Sequence, residues 1–187
     1  MLKVLTASFF IALISELGDK TQWLALSLAT RSRRPGLILA GICIGAFLNH
    51  LLASWLGDWF AARLSKNVLS IAAGTLFIVF GLWALRPQKA EQDPIQLTAR
   101  NLFSIAALFF FAESGDKTQI AALTLAAKFH APWLAALGTT LGTITSDLMA
   151  ILVGGELLKR LPAEIFRFAS AGLFLTFGAA SLWSALA

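Results

Sequence analysis

The sequence predicts an all-α, polytopic membrane protein with six transmembrane helices, arranged as two inverted three-helix repeats. Three observations predict this fold class. Of the 187 residues, 58% are hydrophobic and only 13% are charged, whereas soluble proteins carry about 25% charged residues. The apolar residues fall into six segments. A shift of 97 positions aligns the first three segments with the last three.

Each apolar segment is long enough to cross the hydrocarbon core, which takes about 20 residues of α helix. The segments cover residues 4–28, 37–61, 67–85, 102–127, 133–157 and 166–186. Charged and proline-containing stretches separate them, as is typical of loops. The first segment superficially fits a secretory signal, but it runs directly into a motif that the second half repeats. We therefore expect it to be retained as the first transmembrane helix.

The two halves of the chain are copies of one three-helix unit. After the shift, glycines and phenylalanines of the later helices also coincide: Gly41 with Gly138, Gly45 with Gly142, Phe77 with Phe174 and Gly81 with Gly178. Because each copy has an odd number of spans, the second copy enters the membrane from the opposite side, so the repeats are inverted. The predicted organisation is a first repeat at 1–87, a cytoplasmic linker at 88–100 and a second repeat at 101–187.

Basic residues of the loops predict the orientation in the membrane. One side carries Arg31, Arg33, Arg34, Arg86, Lys89, Arg100, Lys159, Arg160 and Arg167, whereas the other carries Lys3, Arg63, Lys66 and Lys128. The richer side is cytoplasmic by the positive-inside rule, which places both termini outside, in a cell inner membrane. The net charge of +5 then reflects topology and contact with anionic lipid rather than nucleic-acid binding.

The first helix of each half contains the same charged motif, "ELGDKTQ" at 16–22 and "ESGDKTQ" at 113–119. A carboxylate at mid-membrane costs about 2.5–3.5 kcal/mol even on a lenient insertion scale, so four of them need a use. The Glu and Asp of each motif share a helix face, and inverted repeats bring such faces together near the midplane. Converging carboxylates suit a hard divalent cation such as calcium or manganese. We expect opposed oxygens to approach within roughly 5 Å among Glu16, Asp19, Glu113 and Asp116.

The other motif residues support this interpretation. Neutral oxygens are available from Thr21, Gln22, Thr118 and Gln119. Gly18 and Gly115 favour either a local break of the helix or the close approach of another backbone. Lys20 and Lys117 stand four residues after each Glu, which suits ion pairing with the carboxylates. A purely structural alternative is that each Glu–Lys pair neutralises itself within the bundle and binds no substrate.

The two-copy E-x-G-D-K-T pattern, with three helices per copy, resembles the Gdt family of membrane divalent-cation/proton exchangers over nearly the whole chain. The resemblance implies export of manganese or calcium in exchange for protons, with the motif carboxylates as the cation site. By matching positions, it carries the motif roles to Glu16, Asp19, Thr21, Glu113, Asp116 and Thr118. Cation and proton are transported species here, and no cofactor is expected.

The two halves differ on their second helices, where Asn49-His50 aligns with Ser146-Asp147. Asp147 is a fifth acid at membrane depth. It either couples protons, assists the cation, or is simply hydrogen-bonded to a neighbour, and the sequence leaves these possibilities open. Asn49, Lys20 and Lys117 join it as candidate proton-coupling or accessory residues. His50 titrates near neutral pH in an unperturbed setting, but a lone histidine on a helix is more often packed or hydrogen-bonded.

Two faces of small residues are predicted to let helices approach closely. They are formed by Gly41, Gly45, Gly138 and Gly142. Packing within the bundle is the favoured role, and the same kind of face also permits an oligomer.

The favoured function is secondary antiport by alternating access, in which protons and a divalent cation compete for the same carboxylates. A cation channel, or an exporter of small solutes such as amino acids, is the alternative of similar topology. An enzyme is not expected, since the chain lacks a Ser/His/Asp set and a nucleotide-binding loop and has only two histidines. The single cysteine, Cys43, excludes a disulfide and disfavours a sulfur-based metal site.

Overall fold

The computed structural model describes residues 1–31, 34–86, 101–153 and 163–186. These ranges contain eight α helices and no strand, which confirms the all-α class. The helices are α1 (Leu2–Glu16), α2 (Lys20–Arg31), α3 (Pro35–Ala61), α4 (Lys66–Ala84), α5 (Leu102–Ala112), α6 (Lys117–Phe129), α7 (Pro132–Val153) and α8 (Ala163–Leu186). The predicted linker at 88–100 lies outside the described residues.

Four of the described helices are long and apolar enough to cross a membrane, namely α3, α4, α7 and α8. They correspond to the predicted segments 37–61, 67–85, 133–157 and 166–186, although the end of the third of these lies beyond the described residues. Loop chemistry explains where several helices begin. Pro35 occupies the first turn of α3, Ser65 caps α4, and Asn101 forms a capping box with Ser104 at the start of α5.

The other two predicted spans are not continuous helices, which corrects the sequence-based boundaries. Segment 4–28 is divided into α1 and α2, and segment 102–127 into α5 and α6. Both breaks fall inside the charged motif, where Gly18 and Gly115 each have a φ of 80°. An α helix cannot continue through this left-handed backbone region, which glycine enters without a steric cost. The apolar pattern alone hides the breaks, because both halves of each segment are apolar.

Helix packing follows the sequence repeat. Helix α1 packs against α7 as α5 packs against α3, and α2 contacts α7 as α6 contacts α3, while α4 and α8 contact each other. Individual residue contacts are repeated in the same way between the two halves. Gly45 faces Phe109, and its counterpart Gly142 faces Ala12, the residue aligned with Phe109. The small-residue faces are therefore used for packing inside this chain.

Contacts along α4 and α8 run in opposite directions. A Cβ placed on Gly74 would touch Leu182, whereas one placed on Gly81, farther along α4, would touch Leu175, which comes earlier in α8. At the centre of this helix pair, the rings of the aligned residues Phe77 and Phe174 have centroids 5.9 Å apart. Both rings are buried. Equivalent helices of the two repeats thus meet antiparallel at equivalent residues.

Substitution of Gly142 tests the close helix contact. A Cβ at this position would lie 2.5 Å from the Phe9 carbonyl oxygen and 2.8 Å from the Ala12 Cβ, whereas a Cβ at Gly172 would have no atom within 4 Å. Gly142→Ala should destabilise the protein by about 1–3 kcal/mol because it overpacks the α1–α7 interface. Gly172→Ala should be neutral or slightly stabilising, since alanine favours helix. Thermal midpoints of the detergent-purified variants measure both effects, and equal midpoints would contradict the packing described.

Candidate functional site

The break in the first motif is held together by side chains of the motif itself. Helix α1 ends at Glu16, and α2 begins at Lys20. The N–H of Gly18 donates a 2.8 Å hydrogen bond to Gln22 Oε1, which replaces a partner that a continuous helix would supply. Thr21 donates a 2.6 Å hydrogen bond to Glu16 Oε2. Backbone polar groups need hydrogen-bond partners at membrane depth. The Gln22 side chain supplies one to the Gly18 N–H, which the helix break would otherwise leave without a partner.

The second motif uses the same device. Gly115 N–H donates to Gln119 Oε1 at 2.7 Å, and the Thr118 hydroxyl donates to Glu113 Oε2 at 3.2 Å. Asp116 is the N-cap residue of α6, where its side chain accepts from the Thr118 N–H. Two identical breaks therefore present a Glu at the end of one half-helix and an Asp at the start of the next.

Carboxylates of the two motifs converge. Glu16, Asp19 and Asp116 each offer an oxygen within 4.8 Å of the others, and all three residues are buried. The approach within roughly 5 Å expected for opposed carboxylates is therefore met by these three. Lys117 joins them from the second repeat, with its Nζ 3.0 Å from Asp19 Oδ1. A buried lysine bridging the repeats offsets part of the negative charge that burial would otherwise leave unbalanced.

Several buried oxygen atoms of the predicted site residues have no hydrogen-bond partner among the described residues. They are Glu16 Oε1, Asp19 Oδ2, Glu113 Oε1, Asn49 Oδ1 and both carboxylate oxygens of Asp147. Burial of a polar atom without a partner is costly, and much more so for a charged one. A carboxylate oxygen without a partner can take a proton or a metal cation, whereas the amide oxygen of Asn49 can take a cation or a hydrogen-bond donor. The described residues also leave one buried nitrogen without a partner, His50 Nε2, beside Glu113. The carboxylate oxygens predominate, and they fit a hard divalent cation of the calcium or manganese type.

Glu113 is placed differently from the other three motif acids. It does not belong to the group within 4.8 Å, and its Oε2 lies 3.9 Å from His50 Nε2. The other ring nitrogen of His50 is 3.1 Å from the Thr140 hydroxyl. Sequence reasoning treated His50 as a packed residue, and it is indeed fully buried, but it also lies beside a motif acid. Glu113 remains a predicted ligand.

The remaining predicted site residues hold the two repeats together or face outward. Gln22 Nε2 donates to the carbonyl and hydroxyl oxygens of Ser146 at 2.8 and 2.7 Å. Asn49 Nδ2, at the aligned position, donates to the Phe110 carbonyl and the Ser114 hydroxyl at 2.9 and 3.0 Å. The hydrogen bonds between Gln22 and Ser146 were not predicted from the sequence. The alignment of Ser146 with the candidate residue Asn49 could have indicated that Ser146 has a similar role. Lys20 is exposed. Lys117 pairs with Asp19 of the first motif rather than with Glu113 of its own motif.

Comparison with known proteins now decides the family. The family described as "Divalent cation/proton antiporter GDT1" matches residues 4–92 and 101–187. The chain belongs to the GDT1 family. It is therefore a membrane transport protein of an antiporter family, not a member of an enzyme family. The family match spans both repeats and both motifs.

Relatives in distant organisms cover most of the GDT1-family chain. A Vibrio cholerae protein named "Putative manganese exporter" is 36% identical over 177 residues, which cover 94% of this chain and 88% of the relative. A GDT1-like protein of Synechocystis sp. is 30% identical over 209 residues and covers 100% of both chains. "GDT1-like protein 5" of Arabidopsis thaliana is 30% identical over 230 residues, which cover 97% and 96% of the two chains. No solved structure matches this chain significantly.

The two motif glutamines should differ in their contribution to stability. Gln22 is fully buried and makes three hydrogen bonds, one to Gly18 and two to Ser146, whereas Gln119 is partly exposed and bonds Gly115. Gln22→Met should destabilise the protein by about 1–3 kcal/mol more than Gln119→Met, since buried polar groups lose their partners. Thermal midpoints of the purified variants give this difference. Equal losses would show that the tie between the repeats contributes nothing.

Proposed function

We propose that the protein exports a divalent cation, manganese or calcium, across a cell inner membrane in exchange for protons. The observation that carries the proposal is the convergence of Glu16, Asp19 and Asp116, buried carboxylates from both motifs, with oxygens within 4.8 Å of one another. Membership of a divalent cation/proton antiporter family supports it. Loop charge supports an orientation with both termini on the non-cytoplasmic side.

Protons and the cation compete for the same oxygens in this mechanism. A cation binds only deprotonated carboxylates, so its arrival releases protons, and protonation on the other side of the membrane displaces it. The threonine hydroxyls that donate to Glu16 and Glu113 hold one oxygen of each acid in place. The second oxygen of each, Oε1, has no partner among the described residues and is the one offered to the cation or to the proton.

The repeat supports alternating access as the transport mechanism. The opposite directions of the α4 and α8 contacts support an inverted repeat, because equivalent helices related by an axis in the membrane plane run antiparallel. Rocking one repeat against the other then exchanges their conformations. The motif lysines are already in different conformations, since Lys117 is buried against Asp19 while Lys20 is exposed. In the opposite-facing state, we infer that Lys20 pairs with Asp116 and Lys117 becomes exposed.

Manganese is the proposed cargo in preference to calcium, because a relative with 36% identity bears the name of a manganese exporter. The ligand chemistry alone does not separate the two ions, since both accept carboxylate oxygens. Competition between calcium and manganese for uptake into reconstituted vesicles decides between them. Preference for zinc over both would contradict a site built mainly on carboxylate oxygens.

A cation channel is the second candidate, and the broken half-helices are the observation that favours it, because interrupted helices also line pores. The two functions differ in their driving force. An exchanger needs an opposing proton gradient to drive cation movement and saturates, whereas a channel follows the electrical potential alone. The same vesicles, with and without a proton gradient, distinguish them.

Neutralising single carboxylates tests the proposed site. Glu16→Gln and Asp116→Asn should each abolish manganese-driven proton movement in proteoliposomes containing a pH-sensitive dye, because each removes one charged ligand without changing the side-chain shape. Asp58→Asn is the matched control, since Asp58 is partly exposed at the end of α3, 3.1 Å from His130, and should transport normally. Wild-type rate and affinity in either site variant would remove that carboxylate from the mechanism.

Sided labelling tests the exchange of lysines. Lys20→Cys and Lys117→Cys, each introduced into a Cys43→Ala background, should react with a membrane-impermeant maleimide from opposite faces of sealed vesicles. The reason is that each position is exposed only in the state open to its own side. Both variants must remain monodisperse in detergent. Labelling of both positions from the same face would contradict the proposed exchange of conformations between repeats.

A further inference from the structure

Asp147 is a fully buried carboxylate in α7, outside both motifs. Neither of its oxygens has a hydrogen-bond partner among the described residues, and the same holds for the hydroxyl of Thr143, one helical turn earlier. Residues four apart lie on the same face of a helix. A fully buried stripe of unpartnered oxygen atoms on one helix face requires a ligand or a proton to offset its desolvation.

The position of Asp147 is fixed relative to the first motif. Its neighbour Ser146 accepts two hydrogen bonds from Gln22, and Gln22 also holds the N–H of Gly18 at the helix break. Helix α7 packs along α1 and against α2, the two half-helices that present Glu16 and Asp19. A short chain of hydrogen bonds therefore links the break in the first motif to the residue that precedes Asp147.

The repeat assigns Asp147 to the Glu16 side of the site. It aligns with His50, whose Nε2 lies 3.9 Å from Glu113 Oε2, and helix packing repeats between the halves, with α1 on α7 as α5 is on α3. The repeat therefore predicts Glu16 as the equivalent neighbour of Asp147. On this prediction, the two halves of the site differ in chemistry, with an imidazole beside Glu113 and an additional carboxylate on the side of Glu16.

We propose that Asp147 is a cation-binding residue, which adds a carboxylate from α7 to those of the two motifs. This inference rests on the proposed transport function. Calcium takes six to eight oxygen ligands, and manganese also prefers oxygen, so three carboxylates leave coordination positions that Asp147 fills. Asp147 is not one of the three acids whose oxygens all lie within 4.8 Å of one another, so it is proposed as a ligand additional to them.

Calorimetric titration of the purified full-length protein with Mn²⁺ tests this assignment. Asp147→Asn should weaken binding by about tenfold or more, the size of loss that even supporting residues of metal sites cause. Asparagine has the shape and polarity of a protonated aspartic acid, so unchanged Mn²⁺ affinity overturns the proposal and leaves Asp147 as a neutral structural group. Unchanged affinity with fewer protons released per cation also overturns it, in favour of a proton carrier. Asp58→Asn should bind as wild type does.

A second variant keeps the proposal testable if Asp147→Asn does not fold. Asp147→Glu keeps the charge but moves the carboxylate by one methylene, so the ratio of Ca²⁺ to Mn²⁺ affinity should change several-fold, which a merely structural carboxylate would not cause. An unchanged ratio overturns the proposal. Failure of the transport function is recognised separately, because then the wild-type protein binds neither ion or Glu16→Gln has no effect on binding.

Discussion

The hydrogen bond between a motif glutamine and a motif glycine N–H is the interaction on which the site depends. A helix cannot be broken in a membrane unless the backbone groups that lose partners find others, and Gln22 and Gln119 supply these partners to Gly18 and Gly115. The break lets the chain end one half-helix at a Glu and begin the next behind an Asp. The start of a half-helix also favours negative charge through its exposed N–H groups. Without the break, the Glu and Asp of each motif would lie on one uninterrupted helix face.

Burial of several acids around one point is unstable unless positive charge is available. Lys117 provides one such charge from the opposite repeat, 3.0 Å from Asp19. A buried pair of this kind rarely stabilises a fold more than apolar packing would, but removal of one partner is strongly destabilising. The Lys117–Asp19 pair is therefore better explained as a contact that forms and breaks during transport than as a permanent contribution to stability. In the proposed mechanism, a cation that enters the cluster competes with the lysine for Asp19, which would couple occupancy of the site to the association of the repeats.

The helical class, the repeat and the motif acids could be predicted from sequence because they are encoded in composition and spacing. The breaks within segments 4–28 and 102–127 could not, since apolar residues lie on both sides of the motif and Gly18 is compatible with either a break or a close backbone approach. The sequence predicts that the motif lysines pair with motif carboxylates, but not which carboxylate each lysine contacts. Helical spacing suggests Lys117 with Glu113, whereas the folded chain places it on Asp19, a contact that depends on how two distant segments meet. The tie from Gln22 to Ser146 escaped prediction for the same reason.

Departures from the repeat carry information that the repeat itself does not. If both halves were identical, exchange of their conformations would produce two states with equal cation affinity, facing opposite sides of the membrane. Here Asp147 stands where the other half has His50, and Ser146 stands where it has Asn49. A carboxylate attracts a divalent cation, while an imidazole beside Glu113 adds a different donor and acceptor. In the proposed exchange of conformations, the two states are therefore chemically unequal, and that inequality would let an exporter bind its cation more tightly on the side where the cation is scarce.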